Sequence, residues 1–172
     1  YIEIWNHVFM EFDRQADGTL NPLPAQSVDT GMGLERLTAV LEGQLSNYDT
    51  YVFAPLLQAI GGLAGRRHTG TLEPADVSMR VVADHMRAMT FLIADGVVPS
   101  NEWRGYVLRK IMRRAMRHGK SLGFQEPFLF SLVDTVVAEF GAAYPELVAN
   151  RDSIARVIRS EVLSLKQREF VR

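Results

Sequence analysis

Cysteine is absent from these 172 residues, which excludes disulfides and thiolate metal ligands. The four histidines, His7, His68, His85 and His118, do not recur at metal-ligand spacing, so neither zinc nor another protein-bound metal is expected. No uninterrupted apolar run reaches the length of a membrane helix, and no signal peptide is expected. Charge of one sign is missing too: 19 Lys and Arg against 20 Asp and Glu give −1, a balance that selects no partner. Two nucleotide-binding signatures fail on content, because the Lys-Ser/Thr of a P-loop and the third glycine of the dinucleotide fingerprint are lacking. There is no initiating methionine; Tyr1-Ile2-Glu3-Ile4 begins inside a strand pattern, and a fragment of a longer chain is expected.

What is present is a 47% hydrophobic composition, enough for one core or two small ones. Residues 1–12 alternate at period two, with Ile2, Ile4, Asn6, Val8, Met10 and Phe12 on one face and Glu3, Trp5, His7, Phe9 and Glu11 on the other. Asn6 interrupts the aliphatic row. Buried there, its amide must find either neighbouring backbone or a ligand, and beside Val8 it would suit a small amino-acid pocket. Ala16-Asp17-Gly18-Thr19 is a hairpin turn signal, and Pro22 and Pro24 loosen the returning strand, so an antiparallel sheet is expected.

The returning strand ends in Ser27-Val28-Asp29-Thr30-Gly31-Met32-Gly33-Leu34-Glu35-Arg36. Gly31 and Gly33 permit positive φ and close backbone approach, as a ligand floor requires, although Gly-x-Gly is also an ordinary strand-to-helix turn. Asp29 could meet an ammonium. Arg36, in the first turn of a helix over 34–42, could reach an anionic or planar ligand or simply form a surface salt bridge. The expectation is that Asn6, Asp29 and Arg36 converge on one hollow beside the glycines.

Helical spacing follows over 51–63, with Val52, Leu56, Ala59, Ile60 and Leu63 facing a core and Gly61, Gly62 and Gly65 ending it. Residues 66–74 read as a linker or variable loop. A helix opened by Glu73 or Asp76 runs to about Ala94, with Val77, Val81, Val82, His85, Met89, Leu92 and Ile93 as its apolar face. Met79, Met86 and Met89 read as packing. Asp84-His85 could be catalytic, but a lone histidine on a core face is more often a hydrogen-bonded structural residue.

Between Trp103 and Lys120 stand Arg104, Arg109, Lys110, Arg113, Arg114, Arg117 and Lys120, and no acid. Leu108, Ile111, Met112, Ala115, Met116 and Leu122 recur at helical spacing, so the helix is oily on one side and basic on the other. Its arginines at i, i+4 repel unless something neutralises them. Phosphate, acidic lipid, a partner's carboxylates and plain solvent all fit that face. Two further helices, over 128–140 and 154–170, complete the helical part, with Gly141 and Pro145 interrupting between them.

Asp29-Thr30-Gly31-Met32-Gly33-Leu34-Glu35-Arg36 resembles motif 3 of the class II aminoacyl-tRNA synthetases. With Glu3-Ile4-Trp5-Asn6-His7-Val8-Phe9-Met10, and with Val98-Pro99-Ser100-Asn101 leading into Arg104-Gly105-Tyr106-Val107-Leu108-Arg109, the sequence is similar to the alanyl-tRNA synthetases in particular. The similarity covers most of the chain and is weakest around 61–74 and after about 127.

The resemblance implies an α+β chain. Residues 1–49 would be the C-terminal part of a class II aminoacylation domain, and 50–172 a helical tRNA-recognition domain. It also implies ATP-dependent activation of alanine and its transfer to tRNA in the cytoplasm, with Mg²⁺ carried mainly by ATP. Asn6, Val8, Asp29 and Gly31 would line the alanine pocket, and Gly33 and Arg36 would hold ATP. Asn101 would read a G·U pair in the acceptor stem through its amide, which offers both a donor and an acceptor to the minor groove. Arg104, Arg109, Lys110, Arg113, Arg114 and Arg117 would grip phosphate. No residue is expected to act as nucleophile or general base. Motifs 1 and 2 are missing, and the family's partner aspartate would lie beyond Arg172, so the rest of the parent chain is an implied partner and the fragment alone is expected to be inactive. A non-catalytic RNA-binding fragment and a helical protein-interaction module are the alternatives.

Overall fold

A computed structural model describes residues 1–169, with side chains to Gln167. The end of the expected last helix, at Phe170, lies outside the described residues. The described chain is α+β: a two-stranded antiparallel sheet followed by six α-helices. It divides into two compact units, the first covering Tyr1–Thr50 and the second beginning at Tyr51.

The first unit is a hairpin of β1 (Trp5–Arg14) and β2 (Leu20–Met32), then α1 (Leu34–Leu41) and a 3-10 turn at Asn47–Asp49. The expected turn forms at Gly18, with φ +90°, where Asp17 Oδ1 accepts the Thr19 N–H at 2.9 Å. That bond holds the Asp17 carboxyl below its ordinary pKa. Pairing runs Trp5 with Met32, Asn6 with Gly31, His7 with Thr30 and Val8 with Asp29, on to Met10 with Ser27. It then jumps to Phe12 with Pro22. Prolines cannot donate to a ladder, so the irregularity falls where Pro22 and Pro24 stand. Both faces of β1 are exposed, so the expected burial of the Asn6 face is not found. In place of an enclosed row, the hairpin leaves apolar side chains exposed on both faces, Val8 and Phe9 among them.

The second unit holds α2 (Ala54–Ala64), α3 (Pro74–Ala94), α4 (Trp103–Ser121), a 3-10 turn at Leu129–Leu132, α5 (Val133–Phe140) and α6 (Pro145–Glu169). The long α3 packs against α2, α4, α5 and α6. Its Met79, Val82, Ala83, Met86 and Met89 are fully enclosed, together with Leu108 and Met112 of α4 and Ile154 and Ile158 of α6. Val82 and Met89 of the expected face and the expected packing methionines are enclosed, but Val77 is exposed and Val81, His85, Leu92 and Ile93 are only half-buried; Thr90 is buried with its hydroxyl satisfied by the Met86 carbonyl at 2.8 Å. Val77 and Val81 drew the expected face part of the way round the helix from the enclosed side.

Two boundaries also differ from expectation. Helix α2 runs through Gly61 and Gly62 and stops at Gly65, which takes φ +64°. Gly61 is needed for a different reason, since a Cβ there would lie 2.5 Å from the Arg66 carbonyl oxygen. Pro145 opens α6, where a missing N–H costs nothing, so the last helix begins well before residue 154.

The expected linker at 66–74 is pinned down. Asp76, 4% exposed in the first turn of α3, accepts from the backbone N–H and hydroxyl of both Thr69 and Thr71 at 2.7–3.2 Å. Burial pushes its carboxyl pKa up, but these hydrogen bonds outweigh burial and hold it well below the usual carboxylate range. Among the described residues, no helix is long and apolar enough to cross a membrane.

Candidate functional site

In an antiparallel ladder, directly opposed residues project to the same side, and positions two apart along a strand share that side. The pairs Asn6–Gly31 and Val8–Asp29 therefore form one four-residue patch. Gly31 leaves room in it: a Cβ there would sit 3.7 Å from Asn6 Oδ1, in ordinary contact. Asn6 Nδ2 donates to Glu3 Oε1 at 2.9 Å, and the Asp29 carboxylate has no side-chain partner among the described residues. On the opposite side, Trp5 Nε1 donates to Thr30 Oγ1 at 2.6 Å, and the Thr30 hydroxyl donates to the Asn6 carbonyl at 3.1 Å. These bonds brace the strands behind the patch.

Neither Gly31 nor Gly33 takes positive φ; Gly33 is extended, with φ −76°, as the residue before α1. Its use is steric. The Arg36 side chain folds over it, so that a Cβ at Gly33 would lie 3.3 Å from Arg36 Cδ. Arg36 Nη1 donates to the Glu3 carbonyl at 2.6 Å. Asn6 and Arg36 are thus joined through Glu3, to which sequence reasoning gave no role, while Asp29 makes no side-chain hydrogen bond to either. The expected hollow is an open face: Asn6, Val8, Asp29 and Gly31 are all exposed.

The second constellation is built where the 97–102 segment meets the start of α4. Gly105 is buried under that segment, and a Cβ on it would fall 2.2 Å from Ser100 Oγ and 2.3 Å from the Val98 carbonyl. The close approach fixes Asn101 beside the helix. Arg109 Nη1 donates to Asn101 Oδ1, Nη2 donates to Glu161 Oε2 at 3.1 Å, and Nε lies 2.7 Å from Glu161 Oε1, in ion-pair range though off the hydrogen-bonding line. Arg109 is only 12% exposed at its side chain and Glu161 9%. This corrects the expectation for Arg109, which is committed to α6 and to Asn101 and is not displayed for phosphate. A sequence shows the arginine but not the acid on α6 that will meet it.

Arg104, Lys110, Arg113, Arg114 and Arg117 are exposed on α4, whose Leu108, Met112 and Ala115 face inward as expected. Arg113, Arg117 and Lys120 also line a hollow of about 670 Å³ with Phe124, Phe128 and Lys166. The two phenylalanine rings stack with centroids 3.8 Å apart, and Gly119 makes room for Phe128. Burial, with Arg114 and Arg117 nearby, pushes the His118 pKa below its ordinary value, and the ring lies 3.1 Å from Ser78 Oγ. Asp84 and His85 form a local pair at 2.8 Å. Among the described residues, no three His, Asp or Glu side chains converge as a metal would need.

The family profile described as tRNA synthetases class II (A) matches residues 1–167, and the chain belongs to that family. Its relatives narrow the class: it is 57% identical to the alanine–tRNA ligase of Magnetococcus marinus over 94% of this chain and 18% of that one. It is 55% identical to the alanine–tRNA ligase of an Anaeromyxobacter species over 97% of this chain, again 18% of the relative, and 55% identical to that of Acidithiobacillus ferridurans over 94% and 18%. The chain thus spans about one fifth of the length of these relatives.

Proposed function

We propose that this chain is the motif 3 and tRNA-recognition segment of an alanine–tRNA ligase working in the cytoplasm. The parent reaction joins alanine to ATP as an adenylate with release of pyrophosphate, then moves the alanyl group to the tRNA terminal ribose. Positioning and charge do the work. Asp29 holds the alanine ammonium, Asn6 and Val8 bound its carboxylate and methyl, and Gly31 leaves the space they need. Arg36, seated on Gly33, meets the nucleotide. Mg²⁺ would be held mainly by the ATP phosphates, whose charge it would offset.

The observation that supports this reading is the register, which sets Asn6 opposite Gly31 and Val8 opposite Asp29 on one side of the hairpin, beside the Met10–Ser27 pair. It is tested by titrating the chain with a non-hydrolysable alanyl-adenylate analogue while following amide resonances. Asn6, Val8, Asp29 and Gly31 should shift together, Trp5, His7 and Thr30 much less, and Asp29→Asn should abolish the effect. Shifts scattered over both faces, or none at millimolar analogue, would refute the pocket.

The tRNA side rests on the exposed arginines of α4 and on Asn101 beside them. Binding to an acceptor-stem hairpin should weaken steeply with salt, by a log–log slope of roughly 0.7–0.9 per phosphate neutralised. Arg113→Ala and Arg117→Ala should weaken G·U and G·C hairpins alike, whereas Asn101→Ala should remove the preference between them. Failure to bind RNA at low salt would leave the helices as a protein-interaction module.

A further inference from the structure

Asn101 is an exposed side chain whose orientation is set from inside the protein. Arg109 carries only N–H donors, so the amide edge it meets must be the oxygen, and Asn101 Oδ1 is indeed the accepting atom. The other amide edge, Nδ2, has no partner among the described residues and faces outward from that bond. Arg109 cannot swing away, because the other two nitrogens of its fork are held by Glu161, a buried acid on α6. A third group, Gly105, lets the backbone before Asn101 press against α4.

We infer that Glu161, acting through Arg109, is a positioning residue for RNA reading: it locks the Asn101 amide with its NH₂ outward, as a donor for an acceptor on a base edge. This rests on the reading of Asn101 as the base-contacting residue. A free asparagine amide presents donor and acceptor with nearly equal ease and so discriminates poorly between edges that differ only in that respect. A locked one presents a single polarity to the shallow groove, where pyrimidine O2 and purine N3 are acceptors. Glu161 reaches no RNA itself. Its effect is on preference between base pairs, while general phosphate grip stays with the exposed arginines.

The test separates positioning from simple helix cementing. Removing one member of a buried pair strands the other charge and can unfold the chain, so the informative variant replaces both at once, Arg109→Met with Glu161→Leu, which keeps the packing and leaves no lone charge. The Asn101 Nδ2 resonance is assigned by its loss in Asn101→Ala, and its ¹⁵N heteronuclear NOE is compared in the two proteins. It should be backbone-like in the unaltered chain and fall to that of a mobile side chain in the double variant. Affinity is then measured for two hairpins differing only in G·U against G·C. The double variant should lose preference by about fivefold or more while its affinity for the G·C hairpin stays within about twofold. An unchanged amide NOE, or full retention of preference in a folded double variant, overturns the inference. Equal binding of both hairpins by the unaltered chain overturns the RNA reading instead, and the amide NOE then decides the positioning on its own.

Discussion

At the scale of single residues, the start of α4 is where the chain departs most from its easiest conformations. Trp103 holds φ +49° and is 89% exposed, so it takes a left-handed conformation without gaining much burial. That geometry costs an L-residue about 1–2 kcal/mol, and glycine returns roughly half of the saving through a freer unfolded chain. Trp103→Gly should therefore stabilise by about 0.5–1 kcal/mol, read as a rise of a few degrees in thermal unfolding. Two positions on, the opposite holds. The Cβ of Gly105→Ala would meet the Val98 carbonyl and Ser100 N, backbone atoms that cannot turn aside. A loss of about 1–3 kcal/mol is expected in the same measurement, with the Asn101 amide loosened as well.

At the scale of elements, the loop before α3 shows how one side chain can convert a linker into structure. Asp76 stays ionised in the fold to lower pH than in the unfolded chain, so its contribution is complete above about pH 4 and is lost as pH falls below that toward the folded pKa. Asp76→Asn should flatten the stability profile across that acid range and lower stability at neutral pH, which denaturant titrations at several pH values will measure. The sequence showed a helix starting near residue 74 but not this clamp, because Thr69 and Thr71 read as loop polarity until the chain folds back on them. Hairpin, turn, strand-to-helix junction and basic helix were legible because each is a local pattern. The enclosed side of α3 was legible only in part, since four neighbours rather than its own periodicity decide what is covered. The site was legible in the same measure: alternation put Asn6 and Val8 on one side, but only pairing could set Gly31 and Asp29 opposite them. Arg109 was misjudged because its partner lies on α6.

At the scale of the whole molecule, the two units differ in how much they enclose. The helical unit holds nearly all of the fully buried side chains, whereas every residue of β1 is exposed. A lone two-stranded ribbon is marginal in water. The patch at Asn6 and Asp29 is open to solvent, and as the proposed alanine pocket it would lack enclosing walls. Alanine-dependent exchange of pyrophosphate into ATP should be undetectable with this chain, and turnover above background would overturn that expectation. RNA binding by the helical unit should persist in the same sample.

The irregular pairing between Met10 and Phe12 has a bearing on how this hairpin tolerates change. A slip of one position would send Asn6 to the Trp5 side and scatter the patch, so its alignment has to be protected from events at the loop end. Between the two regular stretches, Glu11 alone stands across from residues 23–26 of β2. That slack should let the tip around Asp17 gain or lose residues without the change reaching the Asn6–Gly31 end.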